Sequence, residues 1–122
     1  FNPRTTIEAD LSSAPQIPSD TYDCVIFTQT LQFIYDFRSA IGTLHRILKP
    51  GGVLLATLGA IGNTYGEGPS ESDWYWLFTV SSAARIFQEA FPAGEMEVSS
   101  HGNVLAAIGF LEGLSTHEFS RH

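Results

Sequence analysis

Residues Tyr22 to Leu58, YDCVIFTQTLQFIYDFRSAIGTLHRILKPGGVLLATL, read as strand, polar loop, helix, turn and strand. Cys24, Val25, Ile26 and Phe27 form an apolar run without polar alternation, the pattern of a strand covered on both faces. Asp36 is a plausible helix N-cap, and behind it Phe37, Ala40, Ile41, Leu44, Ile47 and Leu48 recur at helical spacing. Arg38, Ser39, Thr43, His45 and Arg46 fall on the wet side. Lys49 suits the negative end of the helix dipole, Pro50-Gly51-Gly52 stops the helix, and Val53 to Leu58 follows as a second buried strand. Two buried strands joined through one helix should run parallel, with a right-handed crossover. In such sheets ligands bind beyond the carboxyl ends of the strands, here Thr28-Gln29-Thr30 and Gly59 to Gly62.

The flanks support an α/β domain. Thr5 to Leu11 is β-branched with rough alternation and reads as a short strand carrying Asp10 at its carboxyl end, followed by a Ser- and Pro-rich loop over 12–21. Residues 59–72 contain Gly59, Gly62, Gly66 and Gly68 with no periodicity, and DWYWLFT at 73–79 is dense in aromatics, so 59–79 reads as a flexible, aromatic connection. Those aromatics either cover the end of the sheet or face a substrate. Val80, Ala84, Phe87 and Phe91 give a helix, started near Ser81 or Ser82 and ended by Pro92. Glu95 to Ser100 alternates as an edge strand, and Val104 to Leu114 is apolar nearly all round and long enough for a helix. The 122 residues allow one domain: a βαβ core at 22–58, the connection at 59–79 and a helix-strand-helix unit at 80–114. The start without methionine and the capping box Ser115-Thr116-His117-Glu118 just before the end suggest a piece of a longer chain.

Thirteen acidic against six basic residues give a formal charge of -7, which argues against nucleic acid and anionic membranes as partners. The single cysteine, Cys24, is expected in the core, and its solitude favours a reducing, cytoplasmic setting. No G-x-S-x-G elbow, P-loop or G-x-G-x-x-G is present. The four histidines show no metal-ligand spacing, so no metal is expected. His45 reads as solvated, and His101 as a turn residue or a base. Glu67, Glu71 and Asp73 read as a solvated acidic loop or a carboxylate cluster.

The stretch Arg46-Ile47-Leu48-Lys49-Pro50-Gly51-Gly52 with its flanking strands resembles class I S-adenosylmethionine-dependent methyltransferases of the small-molecule, type 11 kind, as do Asp10-Leu11, Ile17-Pro18, Tyr22-Asp23 and Thr28 to Gln32. The likeness is good over residues 5–58 and loose over 59–114. It implies a partial Rossmann-like sheet holding the family's third to sixth strands with flanking helices, without the N-terminal glycine-loop unit or the last strand. It implies S-adenosylmethionine as the cofactor of the full-length protein, with Asp10 accepting from the adenine amino group, the Leu11 amide meeting the ring edge, and Thr28 and Gln29 lining the methionine end. Phe33 stands where the family often has a histidine, and no catalytic residue is assigned. A small-molecule acceptor would meet Gln32, and Tyr65, Trp74 and Trp76 as walls.

Two further readings stay open: a non-catalytic, self-associating α/β module, and part of a nicotinamide-dependent enzyme. In the family the strands beside Thr5–Leu11 and Cys24–Thr28 lie upstream, so exposed strand edges predict a homodimer or higher oligomer. Alone, the fragment is expected to be inactive.

Overall fold

The computed structural model describes residues 6–62 and 74–114. Its centre is β1 (Tyr22–Thr28), α1 (Phe37–Ile47) and β2 (Leu48–Thr57), with α2 (Val80–Phe87) and α3 (Val104–Leu111) following. β1 and β2 pair in parallel, Cys24 opposite Val53, Ile26 opposite Leu55 and Thr28 opposite Thr57.

α1 begins where its cap places it. The Asp36 carboxylate accepts from the Ser39 amide at 3.1 Å and from its hydroxyl at 2.7 Å, satisfying an amide that has no helical partner. Phe37, Ala40, Ile41, Leu44 and Ile47 are buried as their spacing requires. Thr43 is buried too, against expectation, because it shares a row with Ala40 and Ile47 on the inner arc. Arg46 is not a free surface cation: its guanidinium donates to the carbonyls of Ile17 at 2.6 Å and Ala14 at 3.0 Å, tying the 12–21 loop to the end of α1. Ala14, Ile17 and Ile47 form a small cluster under that tie. The larger cluster joins Phe27, Leu31, Ile41, Leu44, Phe78 and Ile86, so α1 and α2 share one core with the inner face of β1.

Several expectations need correcting. Pro50-Gly51-Gly52 does not precede the second strand but forms a bulge inside it, since pairing moves from Tyr22–Leu48 directly to Cys24–Val53. α1 therefore ends at Ile47, and Lys49 serves an ion pair with Asp23 at 2.9 Å rather than the helix end. The bulge needs glycine twice over: Gly51 has φ +79°, and a Cβ on Gly52 would lie 2.9 Å from the Lys49 carbonyl oxygen.

Among the described residues the sheet is covered on one face only. Phe27 is buried against α1, whereas Cys24, expected in the core, is exposed, and Ile26 is 73% exposed. The apolar run reflected a two-sided strand, but the described residues supply helices to one side.

Only two of the four expected strands form among the described residues. Residues 6–10 have no ladder partner and lead into a turn in which the Asp10 carbonyl accepts from Ser13 and Ala14. Residues 96–100 carry the alternation of an edge strand but bond to no neighbouring strand. Alternation reports the side-chain pattern, while a strand requires a partner for its backbone groups.

α2 starts one residue before the expected serines. Thr79 and Ser82 form a reciprocal capping box. Regular helix ends at Phe87, and one further turn, with Phe91 N–H on the Phe87 carbonyl at 2.8 Å, carries the chain to Pro92. α3 is capped by Asn103, whose side chain accepts from Ala106 N–H at 2.9 Å. It closes with Leu114 N–H on Gly109 and Gly113 N–H on Phe110, the paired bonds of a glycine C-terminal motif, with Gly113 at φ +76°. No helix among the described residues is long and apolar enough to cross a membrane.

Candidate functional site at the carboxyl ends of the strands

Past Thr28 the chain turns sharply. Gln29 takes φ +48°, and its amide donates to the Thr57 carbonyl at 2.9 Å, extending the pairing by one bond while redirecting the chain. A single 3₁₀ turn, Leu31–Phe33, then sinks Leu31 and Gln32 completely into the protein.

Polar side chains meet here. Gln29 Nε2 lies 3.3 Å from Thr57 Oγ1, and Gln32 Nε2 donates to Gln29 Oε1 at 3.2 Å. Gln32 Oε1 is buried without a partner. A fully buried, half-satisfied carboxamide is costly, and the structure tolerates that cost here. The exposed amide of Gln29 is oriented from below by Gln32 and from the side by Thr57. Thr57 was not singled out from the sequence, although its place opposite Thr28 follows from a parallel register.

Residues 74–78 strap this region. Tyr75 N–H donates to the Gln32 carbonyl at 2.8 Å, and Phe78 N–H to the Gly59 carbonyl at 2.9 Å, so one segment binds the ends of both strands. The Trp74 ring lies on the backbone of Gly59 and Gly62, with Phe33 edge-on at 5.8 Å. A Cβ on Gly59 would stand 2.6 Å from Trp74 Cζ3. Gly59→Ala should therefore push the indole off its seat, at a cost of about 1–3 kcal/mol. In a Trp76→Phe background, Trp74 emission should shift to longer wavelength, and unchanged emission would show that the seat is not used.

Trp76 sits elsewhere. Its ring packs edge-on against Phe37 at 5.1 Å, and its Nε1–H donates to the Ile34 and Tyr35 carbonyls at 3.1 and 3.2 Å. The strands' carboxyl ends thus gather Thr28, Gln29, Gln32 and Trp74, while Trp76 braces the entry to α1. Tyr65, Glu67, Glu71 and Asp73 lie outside the described residues.

Asp10 closes a local turn. Its Oδ1 accepts from the Ser12 amide at 2.9 Å and the Ser12 hydroxyl at 2.8 Å. These bonds, the amide first, hold its carboxyl below the usual range, so it is an acceptor at neutral pH. Both bonds fall on one oxygen, and among the described residues Oδ2 takes no hydrogen bond. Leu11 packs against the cluster containing Phe27, Leu31 and Phe37, and the Asp36 carboxylate at the start of α1 is close enough to Asp10 for their charges to oppose.

From Gln29 and Thr57 a groove of about 1530 Å³ runs along β2, past Phe87 and Met96, to His101. Among the described residues no three His, Cys, Asp or Glu side chains converge as metal ligands would.

Comparisons with known proteins extend these observations. A family model described as a methyltransferase domain matches residues 2–56. The ubiquinone/menaquinone biosynthesis C-methyltransferase UbiE of Marinomonas sp. (strain MWYL1) is 37% identical over 49 residues, 40% of this chain and 19% of that protein. Among solved structures, the [4+2]-cyclase SpnF matches with a TM-score of 0.51 and 24% identity, over 67% of this chain and 29% of that one, a likeness of fold. The chain thus spans about a fifth of the length of the curated relative it matches.

Proposed function

Since the chain is class I methyltransferase-like in sequence over its first half and in fold, we propose that it contributes the adenine and acceptor side of an S-adenosylmethionine-dependent methyltransferase acting on a small molecule. The observation that supports this reading is that Leu11, beside Asp10, packs on the core cluster to which Phe27 and Leu31 belong, and that these two flank the turn where Gln29 meets Thr57. When bound, S-adenosylmethionine supplies an electrophilic methyl group on a sulfonium centre. The residues of this chain then have binding and positioning roles. Asp10 Oδ2 accepts from the adenine amino group, Leu11 presents backbone and an apolar edge, and Thr28 and Gln29 line the methionine end. Gln32 acts through Gln29, whose carboxamide it holds, and Trp74 walls the acceptor side. Holding a nucleophile in line with the methyl group provides most of the rate in such a reaction, which asks for few catalytic side chains.

The adenine side alone supplies a minority of the polar contacts, so we infer that the isolated chain binds the cofactor weakly and is inactive by itself. The acidic surface disfavours nucleic acid and membranes, and an exposed thiol at Cys24 suits the cytosol.

Titration of the ¹⁵N-labelled chain with S-adenosylmethionine tests this. Amide shifts should gather at residues 10–12, 28–32 and 57–59, with a dissociation constant weaker than about 100 µM, roughly -5.5 kcal/mol. Shifts in the same amides with a nicotinamide dinucleotide and none with S-adenosylmethionine would replace the reading with an oxidoreductase. Low-micromolar affinity would overturn the partial-site argument.

A further inference from the structure

Among the described residues two apolar surfaces stand open. The outer face of the sheet presents Cys24 beside Val53 and Ile26 beside Leu55, with Ile26, Val53 and Leu55 exposed by 73, 52 and 56%. The second surface is α3, an eight-residue helix, VLAAIGFL, without a charge. Its Val104, Ile108 and Leu111 form an i, i+4, i+7 stripe flanked by Leu105, all exposed.

The surfaces match in size. Eight helical residues make a rod about 12 Å long and about 10 Å across. The face from Cys24 to Thr28 runs about 13 Å along strands that lie about 4.8 Å apart, so one short helix covers both strands. They match in chemistry as well, since neither carries charge in a chain of formal charge -7, where most other approaches between copies bring acidic surfaces together.

We propose that the occupant of the sheet face is α3 of a second copy of this chain. Each copy carries both halves of the contact, so a two-fold axis satisfies the pair: the helix of one protomer lies on the strands of the other, and the reverse. The exchange buries the exposed apolar side chains of both surfaces on both copies, several hundred Å² from each, approaching the about 800 Å² per partner of a standard interface. This contact uses the face of the sheet rather than its strand edges, and it does not depend on the methyl-transfer reading.

Cys24, the chain's one cysteine, lies on the proposed contact and reports on it. The experiment follows the mass of the full chain by sedimentation from about 1 to about 100 µM, a range that brackets a micromolar dissociation constant. The rate of Cys24 with Ellman's reagent is measured at the same concentrations. The mass should climb from 13.3 kDa towards twice that value, and the thiol rate should fall with the fraction of free protomer. Leu105→Lys, at an exposed helical position, and Ile26→Lys should each restore the lighter species and the fast thiol, with the far-UV spectrum of each variant as the check on folding. A monomer throughout with a fast thiol would overturn the proposal by showing that the face stays open. A monomer with a slow thiol would overturn it in favour of coverage by the chain's own residues. A dimer whose Cys24 still reacts at the monomer's rate would place the association elsewhere, for instance along a strand edge.

Discussion

Gln32→Glu should leave the chain largely unfolded at pH 7 and should recover as the solution is acidified. Gln32 has no exposed surface, and its hydrogen-bond partners among the described residues are the Gln29 carboxamide and backbone amides, none of them a cation. An uncompensated carboxylate in such a place costs about 3–5 kcal/mol, a large part of the about 5–15 kcal/mol that stabilises a domain. Burial raises the folded pKa of the introduced carboxyl above its unfolded value of about 4.3. The folded state then binds the proton more tightly, so stability is retained below the unfolded value and lost as pH rises through the folded one. Asp10, Asp23 and Asp36 work in the opposite direction. Their carboxyls are held low by Ser12, Lys49 and Ser39, and their contribution is present above the usual carboxylate range and lost as pH falls through their folded values. Thermal melts should therefore show the variant gaining stability from pH 7 to about pH 5, above the range in which the parent begins to weaken. Equal losses at both pH values would mean that the new carboxyl reaches water. Gln32→Met, which keeps the length and removes the orphan oxygen, should stay close to the parent in stability.

Leu44→Ala should cost about 2–5 kcal/mol. Leu44 is 1% exposed in the cluster joining α1, β1 and α2, so truncation leaves a cavity where the three elements meet. For a chain of this size each kcal/mol moves the midpoint by about 4 °C, so the loss should be about 8 °C or more. Leu55→Ala is the internal comparison, because Leu55 stands on the open sheet face. At low micromolar concentration it should stay within about 0.5 kcal/mol of the parent. A loss at Leu55 equal to that at Leu44 would contradict the exposure of that face in the single chain.

What could be read in advance follows the range of the interactions concerned. α1 was legible because its cap and its apolar row are set within a few residues: Asp36 reaches Ser39, and Phe37 to Ile47 define one arc. The parallel pairing of β1 with β2 was also legible, since a single helix between two apolar runs allows little else. The expected strands at Thr5–Leu11 and Glu95–Ser100 were not secured by their patterns, because each needed a neighbour that the described residues do not provide. Cys24 was misplaced for the same reason, as one helical layer buries Phe27 and leaves the next residue in the pleat facing out. At the candidate site, the sequence pointed to Thr28, Gln29 and Gln32 as residues following a strand. The roles of Thr57 and Gly59 depend on register and on where Trp74 comes to rest, and those contacts span tens of residues.

The turn at Gln29 has a consequence for how this chain tolerates change. With φ at +48°, the backbone there is one that glycine adopts freely and that costs an L side chain about 1–2 kcal/mol. Glycine there relieves the backbone and removes the carboxamide that joins Thr57 and Gln32. The side chain there gives back part of that cost through its bonds to Thr57 and Gln32, so the strained turn and the polar cluster at the strand ends are one structural unit.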